Sequence, residues 1–192
     1  MRAERLQRFV EEHRAQGAEA FRRRHDDPVL VREDSGPDWE DDDRSYQTGF
    51  MAREELRRTT RQSLRAILGD QDEDDAPSDP AQPAVNEVYV VAKREGAPFQ
   101  DRIGIGRAPN TDVCIPLSRI SKYHAFVTRE DGRYYITDAG SKNGTTVAGE
   151  TIEAKQPANI PDGARVHIGP YPFRFYTPDG FERLVASRAA QR

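Results

Sequence analysis

Three short runs in the second half of the chain hold the side chains best suited to chemistry. The first is Ile103-Gly104-Ile105-Gly106-Arg107-Ala108-Pro109-Asn110-Thr111-Asp112-Val113. The second is Ser118-Arg119-Ile120-Ser121-Lys122-Tyr123-His124-Ala125-Phe126-Val127. The third is Asp138-Ala139-Gly140-Ser141-Lys142-Asn143-Gly144-Thr145-Thr146-Val147-Ala148-Gly149. Arg107 offers a planar, multi-donor head that suits a phosphate group. Ser121 adds a hydroxyl donor and Lys122 a second positive charge. Asn143 carries amide donors and an acceptor, which suits clamping a peptide main chain. All four fall in or beside expected loops, where sites are usually built.

Other chemistries are weaker on the same residues. Ser121, His124 and Asp138 supply the types of a hydrolytic trio, which is defined by geometry and not by spacing. No Gly-x-Ser-x-Gly elbow accompanies them. Gly104-x-Gly106 follows a strand but lacks the third glycine and the helix of a dinucleotide loop. The single cysteine, Cys114, can make neither an internal disulfide nor a cysteine-built zinc site. The expectation is a protein with no catalytic residues, metal or cofactor. A net charge of −4 argues against nucleic-acid binding, which needs a basic excess. No apolar run is long enough to enter a membrane, and the charged first residues lack a signal-peptide core. The expected compartment is the cytoplasm.

The elements that must position these residues are legible from texture. After Ala84 come short runs rich in β-branched and aromatic residues, at 87–93, 101–106, 112–115, 124–129, 133–138, 145–147, 164–168 and 172–177. Turn residues separate them, such as Asn143-Gly144 and Asp162-Gly163. Even spacing without intervening helices predicts a mainly β fold, an antiparallel β-sandwich over 84–178. A short helix over 179–189 within a 179–192 tail closes the chain. The first region, 1–69, reads as α-helical. Leu6, Phe9, Val10, His13, Gly17 and Phe21 form a narrow stripe over 2–25, and a second helix is expected over 48–68. The residues after Pro28 read as loop. Acids and prolines over 70–83 predict a flexible linker, because like charges and prolines cannot bury a core.

In their order and spacing the three runs resemble the forkhead-associated (FHA) domain. That family's pattern is Gly-Arg after an early strand, then Ser-(Arg/Lys)-x-His, then Ser-x-Asn-Gly-Thr with Val-x-Gly behind it. The resemblance covers roughly Asn86 to Pro178 and points to a bacterial phosphothreonine-binding adaptor. It implies that Arg107 and Ser121 contact the phosphate, that Lys122 adds a further contact, and that Asn143 holds the peptide backbone. It implies a structural role for His124, with Gly106 and Gly144 suited to close packing or a positive φ. Lys142 stands where the family often has a hydroxyl, which offers the pocket another cation.

The resemblance further implies a phosphothreonine-bearing partner, a Ser/Thr kinase or its substrate. The competing reading is a phosphate-independent scaffold built from the sandwich and the N-terminal helices. Thr59 and Thr60 follow Arg57-Arg58, a context for a basic-directed kinase. Phosphorylated, either threonine could dock into the chain's own pocket, at the high effective concentration a tether provides.

Overall fold

A stripe of Leu6, Phe9, Val10 and Phe21 needs a helix to bring it to one face, and two helices form it. In the computed structural model, which describes residues 4–34, 85–97 and 99–191, the expected helix over 2–25 is broken. A two-residue strand β1 (Glu4–Arg5) leads into α1 (Leu6–Gln16), and α2 (Ala18–Arg24) follows. Gly17 stands between the helices at φ +78°, a left-handed conformation that glycine adopts without a Cβ penalty. Leu6, Phe9, Val10 and Phe21 are all buried.

A strand then follows where the sequence reads as loop. Val29–Arg32 is β2, and every residue of it is buried. It pairs antiparallel with the strand β3 (Glu87–Val90) on one side and with β12 (Tyr171–Tyr176) on the other. Its side chains alternate between two cores. Leu30 joins Tyr89, Phe173 and Phe175 inside the sandwich. Val29 and Val31 face outward, against Leu6, Phe9, Phe21, Phe181 and Val185 of the helices. A strand covered on both faces has no polar side, so it shows no alternation of polar and apolar residues. Burying three aliphatic side chains here contributes roughly 5–9 kcal/mol.

The remaining strands are β4 (Ile103–Gly106), β5 (Val113–Cys114), β6 (Ala125–Glu130), β7 (Arg133–Asp138), β8 (Thr145–Val147), β9 (Glu150–Thr151), β10 (Pro157–Asn159) and β11 (Arg165–Ile168). One sheet runs β1-β3-β2-β12-β11-β8-β9 and the other β10-β7-β6-β4-β5. Pairing is antiparallel throughout except between β4 and β5, which run parallel. The β-sandwich fold expected from the sequence is present, with helices before it. The chain ends in α3 (Pro178–Ala190), opened by the Thr177 hydroxyl accepting from the Gly180 N–H at 3.2 Å, with proline in the first turn. Phe181 and Val185 of α3 pack on α1 and α2, so all three helices cover the outer face of the larger sheet.

The boundaries expected at 69/70 and 83/84, and the helix expected over 48–68, lie outside the described residues. Among the described residues no helix is long and apolar enough to cross a membrane.

Candidate functional site

The turns that join β4 to β5, β5 to β6 and β7 to β8 meet at one end of the sandwich. They carry Arg107, then Ser121 and Lys122, then Lys142 and Asn143. Backbone bonds knit the first two together: the Arg107 N–H donates to the Ser121 carbonyl at 2.9 Å and the Ala108 N–H to the Lys122 carbonyl at 3.1 Å. The second and third are joined by the Lys142 N–H donating to Ser121 Oγ at 3.1 Å and by Asn143 Nδ2 donating to the Arg119 carbonyl at 2.6 Å. The five residues expected to touch a ligand therefore form one cluster. Thr59 and Thr60 lie outside the described residues.

Gly106 permits this closeness. A Cβ there would run into the Lys122 carbonyl, a backbone atom that cannot swing aside. Gly104 is similarly covered by the Tyr123 ring, and its N–H donates to Asp112 at 2.8 Å. Both glycines thus serve strand packing, and no open loop exists for a dinucleotide. Gly144 stands at φ +75° in the Asn143-Gly144 turn. Gly169 was not singled out by sequence. Its Cβ would lie 2.9 Å from the Arg119 carbonyl, the same atom that Asn143 grips.

His124 is fully buried and braces the loops from below. Its Nδ1 accepts the Ser121 backbone N–H at 3.1 Å. The proton must therefore sit on Nε2, which donates to the Gly144 carbonyl at 2.9 Å. Burial pushes the pKa of His124 below its ordinary value, against the upward pull of the Gly144 carbonyl and Asp138. The ring is neutral and both nitrogens are used, so it cannot take a proton from the Ser121 hydroxyl.

Asp138 completes the frame. It accepts from the Gly140 N–H at 2.8 Å, the Ser141 N–H at 2.7 Å, Ser141 Oγ at 2.7 Å and Thr145 Oγ1 at 2.6 Å. Burial raises its pKa, but these bonds outweigh burial and hold it below the usual carboxylate value. Its nearest oxygen is 4.0 Å from His124 Nε2. Ser121, His124 and Asp138 are neighbours with separate structural duties, and they do not assemble as a hydrolytic trio.

What is left open at the surface is a set of donors and one acceptor. Among the described residues the Arg107 side chain donates through Nε alone, to the Ile120 carbonyl at 3.2 Å, which leaves its terminal nitrogens uncommitted. The Ser121 oxygen accepts one bond, and its hydroxyl proton has no acceptor among the described residues. Lys122 and Lys142 are exposed. Asn143 commits its amide nitrogen and keeps Oδ1 for a passing N–H. Arg119, exposed beside them, adds a cation whose role the motif spacing does not reveal.

A two-sheet sandwich that gathers cations, a hydroxyl and an amide on end loops, over a neutral braced histidine, has the build of a binding module. The FHA-domain family model matches residues 103–169, and the chain carries such a domain there. Among curated proteins the chain is similar to the glycogen accumulation regulator GarA of Mycolicibacterium smegmatis, 33% identical over 78 residues. That match covers 41% of this chain and 48% of GarA. It is also similar to a chloroplastic zeaxanthin epoxidase of Prunus armeniaca, 40% identical over 65 residues, covering 30% of this chain and 10% of the epoxidase. The chain thus spans half or less of these relatives' lengths. Among solved structures it is similar to the second FHA domain of a Mycobacterium tuberculosis ABC transporter, at 33% identity and a TM-score of 0.34. That match covers 42% of this chain and 70% of the domain.

Proposed function

We propose that the chain is a non-catalytic adaptor that binds phosphothreonine on a partner protein in Ser/Thr kinase signalling. The observation that carries this reading is the unspent chemistry at the loop end. A phosphothreonine side chain carries a charge of about −1.5 to −2 and three acceptor oxygens. The terminal nitrogens of Arg107, the Ser121 hydroxyl and Lys122 match that demand, and Asn143 Oδ1 suits the N–H of the peptide's main chain.

The partner is a Ser/Thr kinase or one of its substrates, met in the cytoplasm. The chain's own Thr59 and Thr60 are a second source of the same ligand. Either one, once phosphorylated, is tethered to the pocket and competes with external peptide at an effective concentration on the order of millimolar.

The test is titration of the full chain with a phosphothreonine peptide, its phosphoserine twin and its unphosphorylated form. Arg107→Ala removes two charge-assisted hydrogen bonds, each contributing about 1.5–3 kcal/mol, and is expected to weaken binding at least about 100-fold while the fold survives. Equal affinity for phosphorylated and unphosphorylated peptide refutes the proposal. Mass spectrometry after kinase treatment tests the intramolecular arm, which fails if neither Thr59 nor Thr60 is modified.

A further inference from the structure

The loop end holds more positive charge than one phosphate needs. From Gly106 to Thr111, from Pro116 to His124 and from Ala139 to Gly144 the chain carries Arg107, Arg119, Lys122 and Lys142, and no acidic residue. The two acids at the borders of these stretches do not compensate. Asp138 is saturated by the four donors described above. Asp112 is buried, and accepts from Lys93 Nζ at 3.0 Å, the Arg94 N–H at 2.8 Å and the Gly104 N–H at 2.8 Å. No carboxylate among the described residues forms an ion pair with any of the four cations. By contrast, Arg8, Arg22, Arg24, Arg165, Arg174 and Arg183 each pair with a carboxylate within 4 Å, whereas Arg14 on α1 donates to main-chain carbonyls instead.

The backbone bonds hold these cations together. Lys142 and Lys122 both flank Ser121, one through the bond from the Lys142 N–H to Ser121 Oγ and the other as the next residue in the chain. Arg119 is clasped by Asn143, which follows Lys142. Four unit charges carried on these joined loops exceed the charge of about −2 on one phosphothreonine by about +2. Like charges so gathered repel one another, and a second anion relieves that repulsion. We infer that the loop end contains a second anion subsite at Lys142, supported by Arg119 and Lys122, which selects peptides carrying a carboxylate or a second phosphate close to the phosphothreonine.

This inference rests on the phosphothreonine reading, and one experiment separates the two. The unphosphorylated full chain is titrated with a phosphothreonine peptide whose other residues are uncharged. It is then titrated with versions bearing one aspartate, or one additional phosphothreonine, at each position within three residues. The aspartate and phosphate arms distinguish the two sources of the second charge. At the favoured position an added anion is expected to raise affinity about tenfold at low salt, and less at high salt because the contact is exposed. Lys142→Ser is expected to cut that ratio of acidic to neutral affinity to below about threefold. Equal affinity for neutral and acidic phosphopeptides, or an undiminished ratio in K142S, overturns the second subsite and leaves the first standing. Failure of every phosphorylated peptide to outbind its unphosphorylated form overturns both.

Discussion

Replacing His124 with phenylalanine isolates what the buried imidazole does. Phenylalanine keeps a ring in the fully buried slot but is larger than imidazole, so overpacking makes the figures that follow lower bounds. It removes the acceptor for the Ser121 N–H and the donor to the Gly144 carbonyl. The carbonyl still receives the Gly169 N–H at 2.9 Å, so the Ser121 N–H suffers most. An orphaned buried donor costs about 1–3 kcal/mol, and the lost bond to Gly144 about 1 more. H124F should therefore be less stable by roughly 2–4 kcal/mol at pH 7.5, read from urea unfolding of the full chain. The penalty should also depend on pH. His124 has a folded pKa below its unfolded value of 6.5, so the unfolded chain binds more protons in that window and native stability falls as pH drops below about 6.5. The slope for one group cannot exceed about 1.4 kcal/mol per pH unit. H124F lacks this loss, and the chain's other three histidines are common to both proteins. The stability gap between wild type and variant should narrow from pH 7.5 to pH 5. A constant or widening gap refutes the neutral, doubly bonded histidine.

Gly106→Ala forces a Cβ into the Lys122 backbone and should destabilise by about 1–3 kcal/mol, visible as a lower thermal midpoint, with weakened phosphopeptide binding as the two loops part. An unchanged midpoint counts against the close approach. A chain beginning at residue 84 loses β2 and its roughly 5–9 kcal/mol of burial, comparable with the whole stability of a domain, and should give the poorly dispersed amide spectrum of an unpacked sandwich. A native-like spectrum would show that β2 is dispensable. Asp138→Asn turns an amide group toward donors that need an acceptor and should cost about 1–3 kcal/mol at neutral pH. Because Asp138 titrates below its unfolded value of 3.8, wild type should lose this advantage as pH falls through and below that value, where the two proteins converge by circular dichroism.

The candidate cluster is legible in the sequence because its parts are local. Arg107 follows a strand, Ser121 to His124 form a tight turn, and Asn143-Gly144 is itself a turn signal. The expected strand at 133–138 matches β7 residue for residue, since its turn residues bracket it on both sides. Other features depend on contacts distant in sequence. Val-Leu-Val-Arg, directly after Asp-Asp-Pro, shows no alternation, and only the sheet on its flanks and the helices on its back make it a strand. Pro157–Asn159 contains a proline and pairs at the edge beside β7, which proline tolerates. Gly169 matters through its close approach to Arg119, fifty positions earlier in the chain, and its bond to Gly144. Arg119 stands inside a motif without a role legible from sequence, because its relation to Asn143 exists only after folding.

The placement of β2 also decides what a break in the chain would do. The backbone leaves the larger sheet after Arg32 and re-enters at Asn86, whose N–H donates to the Arg32 carbonyl at 3.0 Å. The two ends of the intervening stretch, Arg32 and Asn86, are therefore neighbours in the sheet. A protease cut within that stretch would sever the covalent chain and leave the ladder intact, with residues 4–34 retained as a bound fragment. The same fragment, supplied separately, should complement a chain that lacks it. Between two copies of the protein, exchange of this fragment would produce a swapped dimer without any new interface chemistry.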